Sequence, residues 1–357
     1  MRECDRCGFP RKFARFFEWR SDGTIVSANH MAPLQRAFLE TGELDKLLDS
    51  LSGTIGVSVD RFLIEAQKNI GKALYENLPM RHLRRIPNKS HLRPQWAAEL
   101  MIRFVSAGIA ELGDGRLGID RYRAGDFWVL RFENPCVIPM LVGSSLGIFE
   151  SMEGASNSTF EYGIESNDLV IRMSPGGTAG ESEKRLYLEN VEPGEGRFVF
   201  DRCPECAAPL PAAMTFEWDV RRGIITNRLT GEREVVVAVQ SVNATLRELE
   251  KELGEEIPGI LFETQKRLDL NRLSALSCLD TEVFWTGYLA ELAIHGLGFP
   301  LRFERVGASV SVETGNTYNQ LLYAAKIAAG LERVTGRDSS IEWIAREPSR
   351  AVYTISA

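Results

Sequence analysis

Apolar positions along this chain switch between two periods, and the switches mark its elements. Short apolar runs on either side of Asp22-Gly23 predict a hairpin over 13–26. From 33 to 51, Leu34, Phe38, Leu44, Leu47, Leu48 and Leu51 recur near helical spacing, with a break at Thr41-Gly42. A second helical stripe over 54–78 carries Ile55, Val59, Phe62, Leu63, Ile70 and Leu74, and Pro79 ends it. A third helix is predicted over 95–112, stopped by Gly113 and Gly115. Alternating runs then predict strands at 117–123 and 127–133. After Asn134-Pro135 comes an apolar helix over 138–150, then strands at 159–164 and 169–173.

The same order returns after a linker rich in Gly, Pro and charge over 175–197. Helices are predicted over 233–253, 257–276 and 281–294, strands at 301–306 and 309–313, a helix over 318–333, and strands at 340–346 and 351–355. Identities follow the order. Phe17-Glu18-Trp19 and Gly23-Thr24-Ile25 match Phe216-Glu217-Trp218 and Gly223-Ile224-Ile225. Glu65, Gln67 and Lys68 match Glu263, Gln265 and Lys266, and Glu150 and Gly154 match Glu332 and Gly336. The chain therefore reads as an internal duplication, with modules at 1–174 and 198–357. Runs of helix followed by antiparallel strands make each an α+β unit of strands packed with helices.

Composition narrows the function classes. Of 357 residues, 44% are hydrophobic and 25% charged, enough for sizeable cores, and the net charge of -7 argues against generic nucleic-acid binding. No apolar run reaches the length of a signal or a membrane span. Six cysteines, four of them in C-x-x-C pairs, fit a reducing cytoplasm, which is the expected location.

Those pairs carry the sharpest chemistry. Cys4-Asp5-Arg6-Cys7 opens the first half and Cys203-Pro204-Glu205-Cys206 the second. Each knuckle supplies two thiolates, and a tetrahedral zinc takes four. The expectation is one structural zinc held by Cys4, Cys7, Cys203 and Cys206, with sulfurs within about 4 Å of one another as Zn–S bonds of about 2.3 Å require. An iron–sulfur cluster and a dithiol role are the alternatives. No histidine lies at ligand spacing from another, and no catalytic residue is assigned.

The ends of both halves bear a family likeness. Gly115 to Phe132, Asn134-Pro135, the helix Leu141-Val142-Gly143-Ser144-Ser145-Leu146-Gly147-Ile148-Phe149-Glu150 and the final hairpin from Phe160 to Ile171 resemble the 4-vinyl reductase domain. The second half keeps Asn316 and Glu332 but has Thr317 in place of the proline. The resemblance, about 60 residues in each half, implies binding of a small hydrophobic or aromatic molecule. It also implies a likeness in fold to subunits of vesicle-tethering complexes. The zinc site of sensor members near the final hairpin is not carried over, because no cysteine stands between Cys136 and Cys203.

Aromatics on the matching elements are the ligand candidates: Trp96, Phe104, Trp128, Phe132 and Phe149 in the first half, and Trp285, Tyr288, Phe303 and Tyr323 in the second. The competing reading is that they fill core volume. Cys136 and Cys278 read as small buried hydrophobes. The Glu–Lys pairs at 65/68 and 263/266 read as ion pairs on helix faces. The basic run over 81–93 reads as an interhelical loop that could also meet a protein partner. The expected function is a non-catalytic sensor or carrier for a hydrophobic or aromatic molecule, with self-association left open. An interaction scaffold, or an enzyme or accessory in tetrapyrrole or aromatic-compound metabolism, is the alternative.

Overall fold

A computed structural model describes residues 2–27, 34–76, 95–176, 194–275 and 280–357. The first half runs α1 (Arg11–Phe16), β1 (Phe17–Trp19), β2 (Ile25–Ser27), β3 (Gln35–Glu40), α2 (Thr41–Ile55), α3 (Asp60–Glu76), α4 (Gln95–Glu111), β4 (Arg116–Arg123), β5 (Phe127–Glu133), α5 (Ile138–Glu153), β6 (Ser158–Glu165) and β7 (Asp168–Pro175). The second runs α6 (Leu210–Thr215), β8 (Phe216–Asp219), β9 (Ile224–Asn227), β10 (Arg233–Ala238), α7 (Val239–Leu253), α8 (Ile257–Ser274), α9 (Thr281–Ile294), β11 (Pro300–Val306), β12 (Ser309–Thr314), α10 (Gln320–Thr335), β13 (Ser340–Glu347) and β14 (Arg350–Ser356). The fold is α+β, as expected, with every sheet antiparallel.

Two sheets have four strands each, ordered β4-β5-β7-β6 and β11-β12-β14-β13. Their middle strands turn apolar side chains inward: Trp128, Leu130 and Phe132 on β5, and Leu169, Ile171 and Met173 on β7. Their edge strands keep mostly exposed residues, the pattern of a sheet with one solvated face. The third sheet joins the halves in the order β1-β2-β3-β10-β9-β8.

That central sheet corrects the expectation of helix at 35–40 and 233–238. Both segments are strands, and Phe38 lies opposite Val236 at the middle of their register. Val235 and Val237 bury one face of β10 and Val236 the other. Such a strand shows a continuous apolar run instead of alternation, and periodicity cannot separate it from a buried helix. The hairpin expected over 13–26 is also modified. Its first arm begins as the one-turn helix α1, and only residues 17–19 pair with 25–27.

Inside each half, one helix pair sets the spacing. On α5, Gly143 and Gly147 sit against the carbonyls of Ile64 and Lys68 of α3, where any Cβ would collide with backbone. The matching Lys68 and Lys266 close these pairs electrostatically. Lys68 Nζ lies 3.0 Å from Glu65 and 3.9 Å from Glu150. Lys266 lies 2.9 Å from Glu263 and 3.0 Å from Glu332. The repeated motif is thus a bridge between helices within each half. The basic run at 81–93, Cys278 and most of the linker fall outside the described residues.

Candidate metal centre and aromatic groove

Each knuckle is shaped by its own backbone. The amide of Cys4 donates to the carbonyl of Phe9 and that of Gly8 to Cys4; Cys203 and Ala207 repeat this with Ala208 and Cys203. Closing so tight a turn puts Gly8 at φ 72° and Ala207 at φ 61°. Pro10 and Pro209 then start α1 and α6, and Phe9, Phe13, Trp19, Phe38 and Phe216 form one aromatic cluster behind the turns.

In front of that cluster the four expected cysteines meet. Cys4 Sγ lies 3.8 Å from Cys203 Sγ, and Cys7 Sγ lies 3.5 Å from Cys206 Sγ. All four sulfurs fall within 4.8 Å of one another, and none is in a disulfide. Zn–S bonds of about 2.3 Å in a tetrahedron put sulfurs about 3.8 Å apart, so the donor set fits a tetrahedral thiolate metal. The thiols are unequal. The amides of Cys206 and Glu205 hold the Cys203 thiol down at about 6, while burial pushes Cys206 up to about 12 and raises Cys7. Four packed thiols resist joint ionisation, and a divalent cation removes that conflict. Arg11 adds a local positive charge, bonding Asp5 of its own knuckle at 3.2 Å and reaching Glu205 of the other.

The halves also exchange contacts behind the centre. Arg202 donates to the carbonyl of Trp19 at 2.7 Å, and Gly298 and Phe299 donate to Gly23 and Asp22. Gly115 donates to Gly223 at 2.9 Å, the reciprocal contact. Each knuckle hairpin therefore rests on the helix end and strand start of the opposite half.

The aromatic candidates divide. Trp128, Phe132 and Phe149 are sealed in the first-half core, where Trp128 meets Phe149 edge-on at 5.3 Å and donates its indole N–H to Glu153. Trp96 stands apart from them, exposed on the first turn of α4, and the side chain of Phe104 lies outside the described set. In the second half Trp285, Tyr288 and Phe303 come together, with Trp285 4.8 Å from Phe303. Tyr323 is fully buried, and its hydroxyl has no hydrogen-bond partner among the described residues. Beside Trp285 and Phe303 runs an open groove of about 460 Å³, walled also by Phe198, Phe299 and Leu289, with Glu282 and Arg305 as its charged residues. The indole N–H of Trp285 is buried and lacks a hydrogen-bond partner among the described residues.

Sequence reasoning missed the buried ions. Lys326 lies 2.7 Å from Glu43 and 3.0 Å from Asp269, and Arg272 bonds Glu291 at 2.5 Å. His295 sits 3.3 Å from Glu234. Arg36 is buried on β3 of the shared sheet, opposite Ala238. A charged residue inside an otherwise apolar stretch was the available signal. Among the described residues, no helix is long and apolar enough to cross a membrane. No family model, curated protein or solved structure matches the chain, which leaves function to the chemistry of its own sites.

Proposed function

We propose that the four cysteines hold one structural zinc that clasps the two halves of a duplicated, 4-vinyl-reductase-like protein. The convergence of four sulfurs from knuckles 199 residues apart carries this reading. The zinc would supply no reaction step; Cys4, Cys7, Cys203 and Cys206 would fill its four positions. Native mass spectrometry of the freshly purified chain tests it. One zinc per chain, lost in Cys203→Ser, is the expected result; two metals, or none, would sink the shared site.

The clasped body serves as a cytoplasmic sensor or carrier of a small hydrophobic or aromatic molecule. Support comes from the groove at Trp285, whose volume lies in the range of ligand sites of about 300–1,000 Å³. Its walls are aromatic, with Phe198, Trp285, Phe299 and Phe303 presenting ring surface to an apolar ligand. Titration with phenol and indole probes, followed by tryptophan fluorescence and melting temperature, is the test. Saturable binding that weakens in Trp285→Phe is expected. A panel without effect on either signal would remove the ligand reading and leave the metal reading standing.

A further inference from the structure

Between the central sheet and the α3–α5 pair lies a second, more enclosed cavity of about 40 Å³. Ile70, Phe132, Met140 and Ile148 are among its apolar walls, and Arg36, Gln67, Ser144 and Asp114 its polar ones. Arg36 is 3% exposed, its Nε has no hydrogen-bond partner, and no described residue forms an ion pair with its guanidinium. A buried cation without a partner is among the costliest features a core can hold. Gln67 donates to Ser144 at 2.8 Å but leaves its own Oε1 buried and unmatched.

Two comparisons show that this charge is unusual. The matching cavity of the second half, of about 20 Å³, is lined by Lys326, Glu43, Arg272 and Glu291, which pair among themselves. At the matching position of β10 stands Glu234, which meets Asn227 and His295. Asp114 is the one carboxylate on the wall of the first cavity. Burial raises its pKa to about 7, so near neutrality it is a weak counter-charge for Arg36.

We propose that this cavity binds a short aliphatic monocarboxylate, its carboxylate on the Arg36 guanidinium and its alkyl end against Phe132 and Met140. A planar carboxylate matches the two parallel N–H donors of a guanidinium, which a spherical ion cannot do. One water-sized probe needs roughly 10–15 Å³, so the space takes about three or four non-hydrogen atoms, the size of formate or acetate. The site is separate from the Trp285 groove, and its failure would leave the aromatic reading untouched.

The experiment is a titration of the full chain with ¹³C-labelled formate, acetate, propionate and butyrate, read by NMR of the ligand at constant ionic strength. Saturable broadening strongest for acetate or formate and absent for butyrate is expected, with at least tenfold weaker binding in Arg36→Met. Ala238→Val tests the same space without touching the charge, since Ala238 pairs with Arg36 across the sheet and lines the cavity. It should shift preference from acetate to formate. Equal competition by chloride, or a crystal structure in which water alone bridges Arg36 to Asp114 in saturating acetate, would overturn the proposal.

Discussion

Trp19 of the first knuckle hairpin donates its indole N–H to the carbonyl of Ile294, 275 residues away and 2.9 Å distant. Trp218 of the second hairpin donates in the same way to Glu111, at 3.2 Å. Ile294 and Glu111 are the last residues of α9 and α4, helix ends whose carbonyls have no partner within their helices. Each hairpin thus caps a helix of the opposite half. Trp19→Phe keeps most of the apolar volume and leaves the Ile294 carbonyl without its donor. It should lower stability by about 1–3 kcal/mol, read from the urea midpoint. A single transition with an unchanged slope would show that the halves unfold together; two separated transitions would contradict the exchange.

The two knuckles differ at the residue that closes the turn. Gly8 adopts φ 72° at no steric cost, whereas Ala207 holds φ 61° with a Cβ. A left-handed conformation costs an L-residue roughly 1–2 kcal/mol, part of which glycine gives back as entropy of the unfolded chain. No atom lies within 4 Å of a Cβ built on Gly8, so Gly8→Ala tests conformation without a clash. Ala207→Gly should stabilise the folded protein by up to about 1 kcal/mol, and Gly8→Ala should destabilise it by a similar amount. Paired thermal melts at fixed zinc decide this; equal effects of the same sign would refute it.

The meeting of the cysteines was legible because the two knuckles hold matching places in the repeated order, and four thiolates shared by one tetrahedral site must lie side by side. The outer helices and hairpins were legible for a different reason: α4, β4, β5 and α5 are bounded by glycines, prolines and turn residues. β3 and β10 have no loop between them and the helix that follows. Glu40 leads straight into Thr41 of α2 and Ala238 into Val239 of α7, so each strand reads as the first turns of the next helix. Among the aromatics, Trp128 and Trp285 look alike in sequence. One is sealed by Glu153 and Phe149, the other borders open space, and that difference depends on which elements happen to cover each residue.

His295 carries a pH dependence whose sign can be worked out. Its Nδ1 faces the carbonyl of Glu291 at 2.9 Å and its Nε2 the Glu234 carboxylate at 3.3 Å, two acceptors that only an imidazolium satisfies with a proton on each nitrogen. Burial alone would lower the pKa, but the Glu234 charge and hydrogen bond, with Glu291, outweigh it and raise the pKa above 6.5. A raised histidine stabilises fully below its unfolded value and loses that contribution as pH rises through the folded one. Glu40 and Asp114, both raised to about 7, also lower stability with rising pH, and their effect runs on to about one unit above that value. The share that belongs to His295 is the part of the decline that a His295→Gln variant removes. Urea midpoints from pH 7 to 9 should fall in the parent and stay flatter in His295→Gln; parallel slopes would rule the pair out.

Lys326 and Asp269 stand where the first half has Ser144 and Gly71, by the same alignment that matches Lys68 with Lys266 and Glu150 with Glu332. In the first half the two helices touch through backbone: a Cβ on Gly71 would collide with the Ser144 carbonyl. In the second half a fully buried carboxylate and an ammonium fill that place, joined by Glu43. The charges of Asp269 and Glu43 outweigh the burial that would lower Lys326, so the lysine stays protonated. Lys326→Met therefore removes the ammonium from both Asp269 and Glu43, leaving Asp269 with Arg272 at 3.5 Å and a hydrogen bond from Gln265. Breaking a buried pair from one side costs about 3–5 kcal/mol, whereas replacing both members by apolar groups is often nearly neutral. Lys326→Met should thus be strongly destabilising, and Asp269→Leu added to it should recover part of the loss, the remainder staying with Glu43. A double-mutant cycle from denaturant unfolding measures the coupling. Additive losses would mean that the pair contributes packing volume and no electrostatic interaction between α8 and α10.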